Sequence, residues 1–397
     1  MVFVLYLLQY SSMFNMGSKI KRECLLIVDI GSGSIGMALV HYKPEQSTPT
    51  IIWSHRESCL FKGKTDKSVL KHIQTTLINS FLEFGSVGLK KMHQYDSRQR
   101  VDSVKITISA PWSLTVTKSI KYENKEPFVV NEKLIKQLEA AAEKEVKSSA
   151  SKSKIKDSNL TIINQKSISW RVNGYQTDID NSPKGNRLEL SYLTVLTEQS
   201  LIDTINESVE KILPKATIGF DSFMSIYYNT LRHMRPNTAE ACLIDVTDEA
   251  VEMGIVRDNI LTYTNHIPYG SRTLAREIEN LAQIPQEEAY GLLKNEFAAS
   301  TKSNDQIQAT FSAFDLKLAS LFKETGDSLS IAETLFLHTD RLTEEFYIEH
   351  LKNGAKEATR RDHIILLISE KIFPHLELSD SALLLSVYYY SRQLVKK

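Results

Sequence analysis

Asp29 follows the apolar run Leu25 to Val28, and the small residues Gly31, Ser32, Gly33 and Ser34 come directly after the next position. Small side chains let backbone N–H groups and hydroxyls approach an anion, and a carboxylate at the end of a buried strand can hold a metal-bound water beside it. The chemistry on offer is phosphate binding with help from a metal. No lysine follows the small residues, and what comes next, Ile35 to Val40, reads as a strand. A P-loop and a Rossmann turn both put their glycines at a helix start, so neither fits. A plain glycine-rich hairpin looks the same, and the stretch taken alone leaves both readings open.

The same arrangement returns in the second half. Ala241 to Asp245 reads as a strand ending in a carboxylate, Ala250 to Val256 as the outgoing strand, Asp258-Asn259 as a turn and Ile260 to His266 as the next strand. Asp221 stands where a short strand, Ala216 to Phe220, enters a helix spanning Asp221 to Arg232. A helix cap and a water-polarising acid both suit that position. The 10 histidines show no ligand spacing. The 3 cysteines, Cys24, Cys59 and Cys242, lie far apart, and they read as buried thiols in a reducing compartment.

The elements that position these residues follow from length and periodicity. With 397 residues and 42% hydrophobic content the chain can bury a large core, in two domains. Lys plus Arg and Asp plus Glu are each 48, a balance that argues against a general nucleic-acid binder. Leu70, Ile73, Leu77, Phe81 and Phe84 share one helical face, His93 to Asp102 reads as a loop, and Val104 to Ser109 as a strand closed by Ala110-Pro111-Trp112. Ser113 to Tyr122 then alternates as a strand, and Asn131 caps a helix striped by Leu134, Leu138, Ala142 and Val146. The lysine and serine tract Lys147 to Ser158 reads as a solvated loop, and strands near Asn159 to Val172 and Arg187 to Leu196 complete a small module. The expected layout is a disordered leader over 1–23, a first lobe from 24–110 and 197–235, an inserted α+β subdomain over 111–196, and a second lobe over 236–397 whose last helix packs back on the first. Met1 to Phe14 is apolar, too short for an ordinary spanning helix and without the basic start of a signal peptide, and Met16 offers an alternative start of translation.

Two strand-Asp-turn-strand units, one in each half, resemble the actin-like ATPase superfamily, an α/β fold of two lobes around a nucleotide cleft. Within it the sequence is most similar to the bacterial cell-division family FtsA and the related pilus family PilM. VDIGSGSIG at Val28 to Gly36 resembles their first phosphate loop, and the segments starting at Ile106 and ending at Thr197 resemble their inserted subdomain. GFDSFMSIYYNTL at Gly219 to Leu231 is similar to their connecting helix, and Leu243 to Ile278 to the second phosphate loop and the helix beyond Gly270.

The resemblance implies that ATP and Mg2+ bind if the site is functional. Asp29 would position the metal and its water, Gly31, Ser32, Gly33 and Ser34 would cradle phosphate with Thr247 and Gly270 from the other lobe, and Asp245 and Asp221 would act on metal or water. It implies an FtsA-like scaffold linking the division machinery to the membrane, with FtsZ as partner and possible self-association. The alternative it implies is a PilM-like component of type IV pilus assembly that binds a peptide of an inner-membrane protein. Either would be cytoplasmic and peripheral at the inner face of the membrane. A sugar-kinase-like enzyme is a third reading, disfavoured because the inserted module replaces the usual substrate lobe. Departures from the family matter here. Asp248 and Glu249 stand where the family has glycines, and Leu335 to Phe346 lacks the glycine pair that meets adenosine. The chain stops at Lys397, right after the apolar run Ala382 to Tyr390, where FtsA leads on to a linker and membrane helix, which leans toward PilM, while NSPKGNRLE at Asn181 to Glu189 leans toward FtsA. Two carboxylates beside a triphosphate repel it, so weak ATP binding and negligible hydrolysis are expected.

Overall fold

The computed structural model describes residues 23–43, 48–59, 66–152, 159–177, 182–294, 305–325, 331–339, 344–368 and 378–395. Residues 1–22 of the expected leader and residues 153–158 of the lysine and serine tract lie outside them, and Glu23 opens the first strand. Strands β1 (Glu23–Ile30), β2 (Ser34–Tyr42), β3 (Thr50–Ser58), β4 (Ser103–Ile108) and β9 (Thr217–Ser222) form one sheet in the order β3-β2-β1-β4-β9. Strands β10 (Ala241–Val246), β11 (Val251–Arg257), β12 (Ile260–Ile267), β13 (Thr334–Thr339) and β14 (Ile364–Leu367) form a second, ordered β12-β11-β10-β13-β14. In both, the first three strands are an antiparallel meander and the next strand joins parallel to the first. The recurrence in sequence is therefore a recurrence of topology.

Continuous apolar runs such as Leu25 to Val28 belong to strands covered on both faces. One face of the first sheet packs on α1 (Asp66–Glu83) and α4 (Gln199–Ile212) through Leu26, Val28, Ile73, Leu77, Leu201 and Ile205. Its other face meets α5 (Phe223–Met234) and α10 (Ser381–Val395) through Leu25, Ile27, Val40, Ile226, Leu383 and Val387. The second sheet packs its outer face on α6 (Ser271–Ala282), α7 (Gln286–Lys294), α8 (Asp305–Lys323) and α9 (Glu344–Thr359). Its inner face meets the same α5 and α10, through Phe223, Tyr227, Leu243, Phe336 and Leu385. Two helices are thus shared by both sheets.

A third, antiparallel sheet holds β5 (Ser113–Val129), β6 (Leu160–Val172), β7 (Tyr175–Gln176) and β8 (Lys184–Glu198) in the order β5-β8-β6-β7, with α3 (Glu132–Lys152) across it. Leu138, Ala142 and Val146 of α3 pack on Leu188, Leu190 and Tyr192 as their spacing predicts. α3 continues through Lys152, so the first half of the expected loop is helical; Ala and Lys carry little helix penalty. His93 to Tyr95 is helical too. A single π turn, Phe84–Gly88, joins α1 to α2 (Leu89–Tyr95), and Gly88 leaves room for the Phe84 ring, which a Cβ there would approach to 2.5 Å. The strand before α5 runs through Ser222, and it is the Ser222 hydroxyl that caps the helix, accepting from Ser225 N.

Candidate functional site

Registered pairing puts Arg56, Gly36, Asp29, Thr107 and Asp221 in one row across the first sheet. Cross-strand neighbours share a face, so the Arg56 side chain can reach Asp29 only by crossing β2 at Gly36. A Cβ on Gly36 would lie 2.5 Å from Arg56 Nη2, and that nitrogen donates to Asp29 Oδ2 at 2.7 Å. Arg56 Nη1 donates to Ser34 Oγ at 2.8 Å, while Nε and Nη2 donate to Asp380 at 2.5 and 3.0 Å. Burial raises the Asp29 pKa, and Arg56 pulls the other way. Burial also opposes ionisation of Asp380, yet Arg56 holds that carboxyl below its ordinary value.

The second sheet carries the matching row Glu252, Asp245, His338. His338 Nδ1 lies 2.8 Å from Asp245 Oδ1 and Nε2 2.9 Å from Ser381 Oγ, whose own proton goes to Thr339 O at 2.9 Å. Nε2 must therefore be the donor, which places one proton between Nδ1 and the Asp245 carboxyl. Burial, then the nearby Asp29, pushes Asp245 well above the carboxylate range. Burial, then Asp245, does the same to Glu252, against a backbone hydrogen bond from Ala110. Asp29 Oδ1, Asp245 Oδ2 and Glu252 Oε2 are each buried without a hydrogen-bond partner. Asp245 and Glu252, which have no cation beside them, retain protons at neutral pH, whereas Asp29 faces the Arg56 guanidinium.

The two loops touch each other. Ser32 Oγ donates to Thr247 Oγ1 at 2.7 Å and accepts from Glu249 N at 2.7 Å, and Thr247 Oγ1 in turn donates to Ala250 O at 3.0 Å. A Cβ on Gly33 would stand 2.5 Å from the Asp248 side chain. Trp112 Nε1 donates to Ser32 O at 3.3 Å, and Cys59 N to Gly33 O at 2.8 Å. Behind the second loop the first N–H groups of α6 are consumed, Ser271 N by Thr247 O at 3.0 Å and Arg272 N by Asp248 O at 2.7 Å. That approach needs Gly270, where any Cβ would overlap Thr247 O. Asp248 and Glu249 are not the free carboxylates expected. Arg272 pairs with Asp248 at 3.0 Å and reaches the Cys59 carbonyl in the first lobe, and Arg276 grips Glu249 at 2.7 and 2.6 Å.

Among the residues anticipated from sequence, Ser32, Gly33 and Thr247 lie at the loop-to-loop contact, Asp29 and Asp245 lie beneath it, and Ser34 lies on Arg56. Gly31 closes its turn by donating N–H to Ser34 O at 2.9 Å. Asp221 is elsewhere and is not the helix cap. It accepts from Lys166 Nζ of β6 at 2.9 Å and from Tyr389 OH of α10 at 3.3 Å. No group of three or more His, Cys, Asp or Glu placed to hold a metal ion occurs among the described residues. A magnesium triphosphate needs outward N–H groups and open hydroxyls on each loop with a carboxylate oxygen it can reach; here the hydroxyls and N–H groups answer one another, the unpartnered Asp29 Oδ1 and Asp245 Oδ2 are buried, and the residues do not fit it in this arrangement. Of the stretch that lacks the adenosine glycines, Leu335 to Phe346, Thr339 is buried and residues 340–343 lie outside the described ones.

Arg56, Arg272, Glu252 and His338 escaped the sequence reading. Glu252 and His338 had a signal, a polar residue inside the apolar runs Val251 to Val256 and Leu335 to Leu337-His338. Arg56 had none, because its partner is set by strand register.

No protein-family model matches the sequence, and none of the curated proteins does. Among solved structures it is similar to the PilM-PilN type IV pilus biogenesis complex, at 11% identity and a TM-score of 0.59, over 95% of this chain and 100% of that one. It is also similar to the ethanolamine utilization protein EutJ of Carboxydothermus hydrogenoformans, at 10% identity and a TM-score of 0.45, over 87% and 85%. The chain has the two-lobed actin-like ATPase fold, with a small α+β subdomain inserted in the first lobe.

Proposed function

We propose that this chain is a non-hydrolytic actin-fold scaffold that binds a short extended segment of a membrane protein, in the manner of a pilus-assembly component. The interlocked loops carry the reading. They occupy with side chains of the chain itself the place where an ATPase of this fold holds ATP and Mg2+, so binding of a partner replaces turnover as the output. A pilus-type role is favoured over an FtsZ-linked one by the likeness to the PilM-PilN complex. The inserted sheet supports a peptide partner. Ser167 pairs with Tyr192 and Gln165 with Thr194, so all four share the face on which α3 lies, and Gln165 Nε2, Ser167 Oγ, Tyr192 OH and Thr194 Oγ1 are buried without partners. A backbone segment seated there would supply what they lack. No helix among the described residues is long and apolar enough to cross a membrane.

Fluorescence anisotropy with a labelled cytoplasmic segment of a pilus inner-membrane protein, and separately with an FtsZ tail, tests it. Saturable binding of the first, weakened about tenfold by Thr194→Val, is expected. Binding of the FtsZ tail alone would assign the division role, and micromolar Mg-ATP binding with turnover lost in Asp29→Ala would end the scaffold reading.

A further inference from the structure

Asp29 and Asp245 belong to different sheets, yet two runs of polar contacts, joined by the peptide bond between Asp380 and Ser381, connect them. The first goes from Asp29 to Arg56 at 2.7 Å and from Arg56 to Asp380 at 2.5 Å, the second from Ser381 to His338 at 2.9 Å and from His338 to Asp245 at 2.8 Å. Asp380 is also the cap of α10, accepting from Leu383 N at 2.9 Å, so the two runs meet at the start of the helix that both sheets share.

We infer that the Arg56 guanidinium is the built-in counter-cation of Asp29, standing where a divalent cation would otherwise be needed, and that through Asp380 it clamps the lobes together without any ligand. The inference goes beyond the scaffold reading and stands whether or not a partner segment binds. Asp29 is 1% exposed, and a carboxylate so buried requires a cation or a proton. The guanidinium arrives from two strands away through a passage that exists only because position 36 has no side chain. Its planar fork satisfies three acceptors in different elements at once, Asp29 in β1, Ser34 at the start of β2 and Asp380 before α10, which a hydrated ion on Asp29 would not join. Arg56 also lines an open cleft of about 450 Å³ with Ser54, His55, Leu378, Ser379 and Asp380, so a cation from solvent has a route to Asp29 once the guanidinium is removed.

Three proteins test this: the wild type, Arg56→Met, and Arg56→Met combined with Asp29→Asn. Each is titrated with Mn2+ under electron paramagnetic resonance, which loses the free-ion signal on binding, and melted with and without the metal. The wild type should leave the signal unchanged and its Tm unmoved. Arg56→Met should melt about 8 °C lower, capture Mn2+ and recover part of the loss when it does. The double variant should bind none and melt between Arg56→Met and the wild type, since Asp29 is no longer charged while Asp380 still lacks its guanidinium. Asp29-dependent Mn2+ binding by the wild type would overturn the inference, as would an Arg56→Met protein that neither melts lower nor binds the ion. Should Arg56→Met fail to fold, recovery in the double variant shows the coupling directly. Failure of the double as well would mean that Arg56 does not act as the counter-charge of Asp29.

Discussion

Gly36 shows how one missing side chain organises the site. Gly36→Ala forces Arg56 off the row and leaves Asp29 buried beside no cation. Breaking one partner of a buried pair costs about 3–5 kcal/mol, so urea unfolding of Gly36→Ala should show a loss of that order, with Arg56→Ala adding little more in the same background. An additive pair of losses would show that Gly36 serves something other than the passage of Arg56. The raised carboxyls make a second prediction at this scale. Asp29, Asp245 and Glu252 have folded pKa values above their unfolded ones, so the native state binds more protons once pH exceeds the ordinary carboxylate range near about 4. Their contribution is complete below that range and is lost as pH rises toward the folded values. Asp380, shifted downward, acts oppositely and only in acid. Stability measured by denaturant should thus fall between pH 5 and pH 8, and Asp245→Asn should flatten the slope; a rise over that interval would contradict the protonated cluster. Asp29 and the small residues after it were legible because an apolar run followed by an acid and a tight turn is a local pattern. The row that neutralises Asp29 was not, since Arg56 lies 27 positions away and faces it only through register.

Elements were legible where periodicity alone decides them. The stripe on α3 and the turn at Asp258-Asn259, both at positive φ, follow from spacing and turn chemistry. Ends were less so. Asp221 looked like the first residue of a helix because Ser222 and Phe223 continue an amphipathic pattern, but the strand claims it through pairing with Thr107. Its actual partner is Lys166 of β6, so this acid ties the inserted sheet to the first lobe. Lys166→Met should therefore loosen one element and spare the rest. The expected readout is amide exchange at least about tenfold faster in β6 and β9 with β10 and β13 unchanged. Adding Asp221→Asn should restore most of the protection, because a neutral pair no longer needs the ammonium. Uniform acceleration across the chain would mean that the pair supports the whole molecule instead.

At the scale of the molecule, the repeat of one sheet topology was visible as two strand-Asp-turn-strand units. How the halves meet was not, because the contact is made by pairs such as Ser32 with Thr247 and Arg272 with Cys59, each separated by more than half the chain. Those contacts have a consequence for cooperativity. α5 and α10 lie between the sheets and contribute Phe223, Tyr227, Leu383, Leu385 and Val387 to clusters on both, so neither lobe owns its inner face. If a lobe unfolded alone, the other would expose those side chains at roughly 1.5–3 kcal/mol each, while Asp29 and Asp245 would lose their runs of contacts through Arg56 and His338. Both terms penalise a half-open molecule and leave the fully folded and fully unfolded states as the ones populated. Calorimetric unfolding should accordingly give one transition whose van't Hoff and calorimetric enthalpies agree, although a chain of two lobes ordinarily gives two. Since closure uses the protein's own groups, millimolar Mg-ATP should leave that transition where it is; a ligand binding the native state at a dissociation constant one hundredth of its concentration would instead add about 2.7 kcal/mol and raise the Tm visibly. Two resolved transitions that merge when Mg-ATP is added would show that the lobes are held by nucleotide after all.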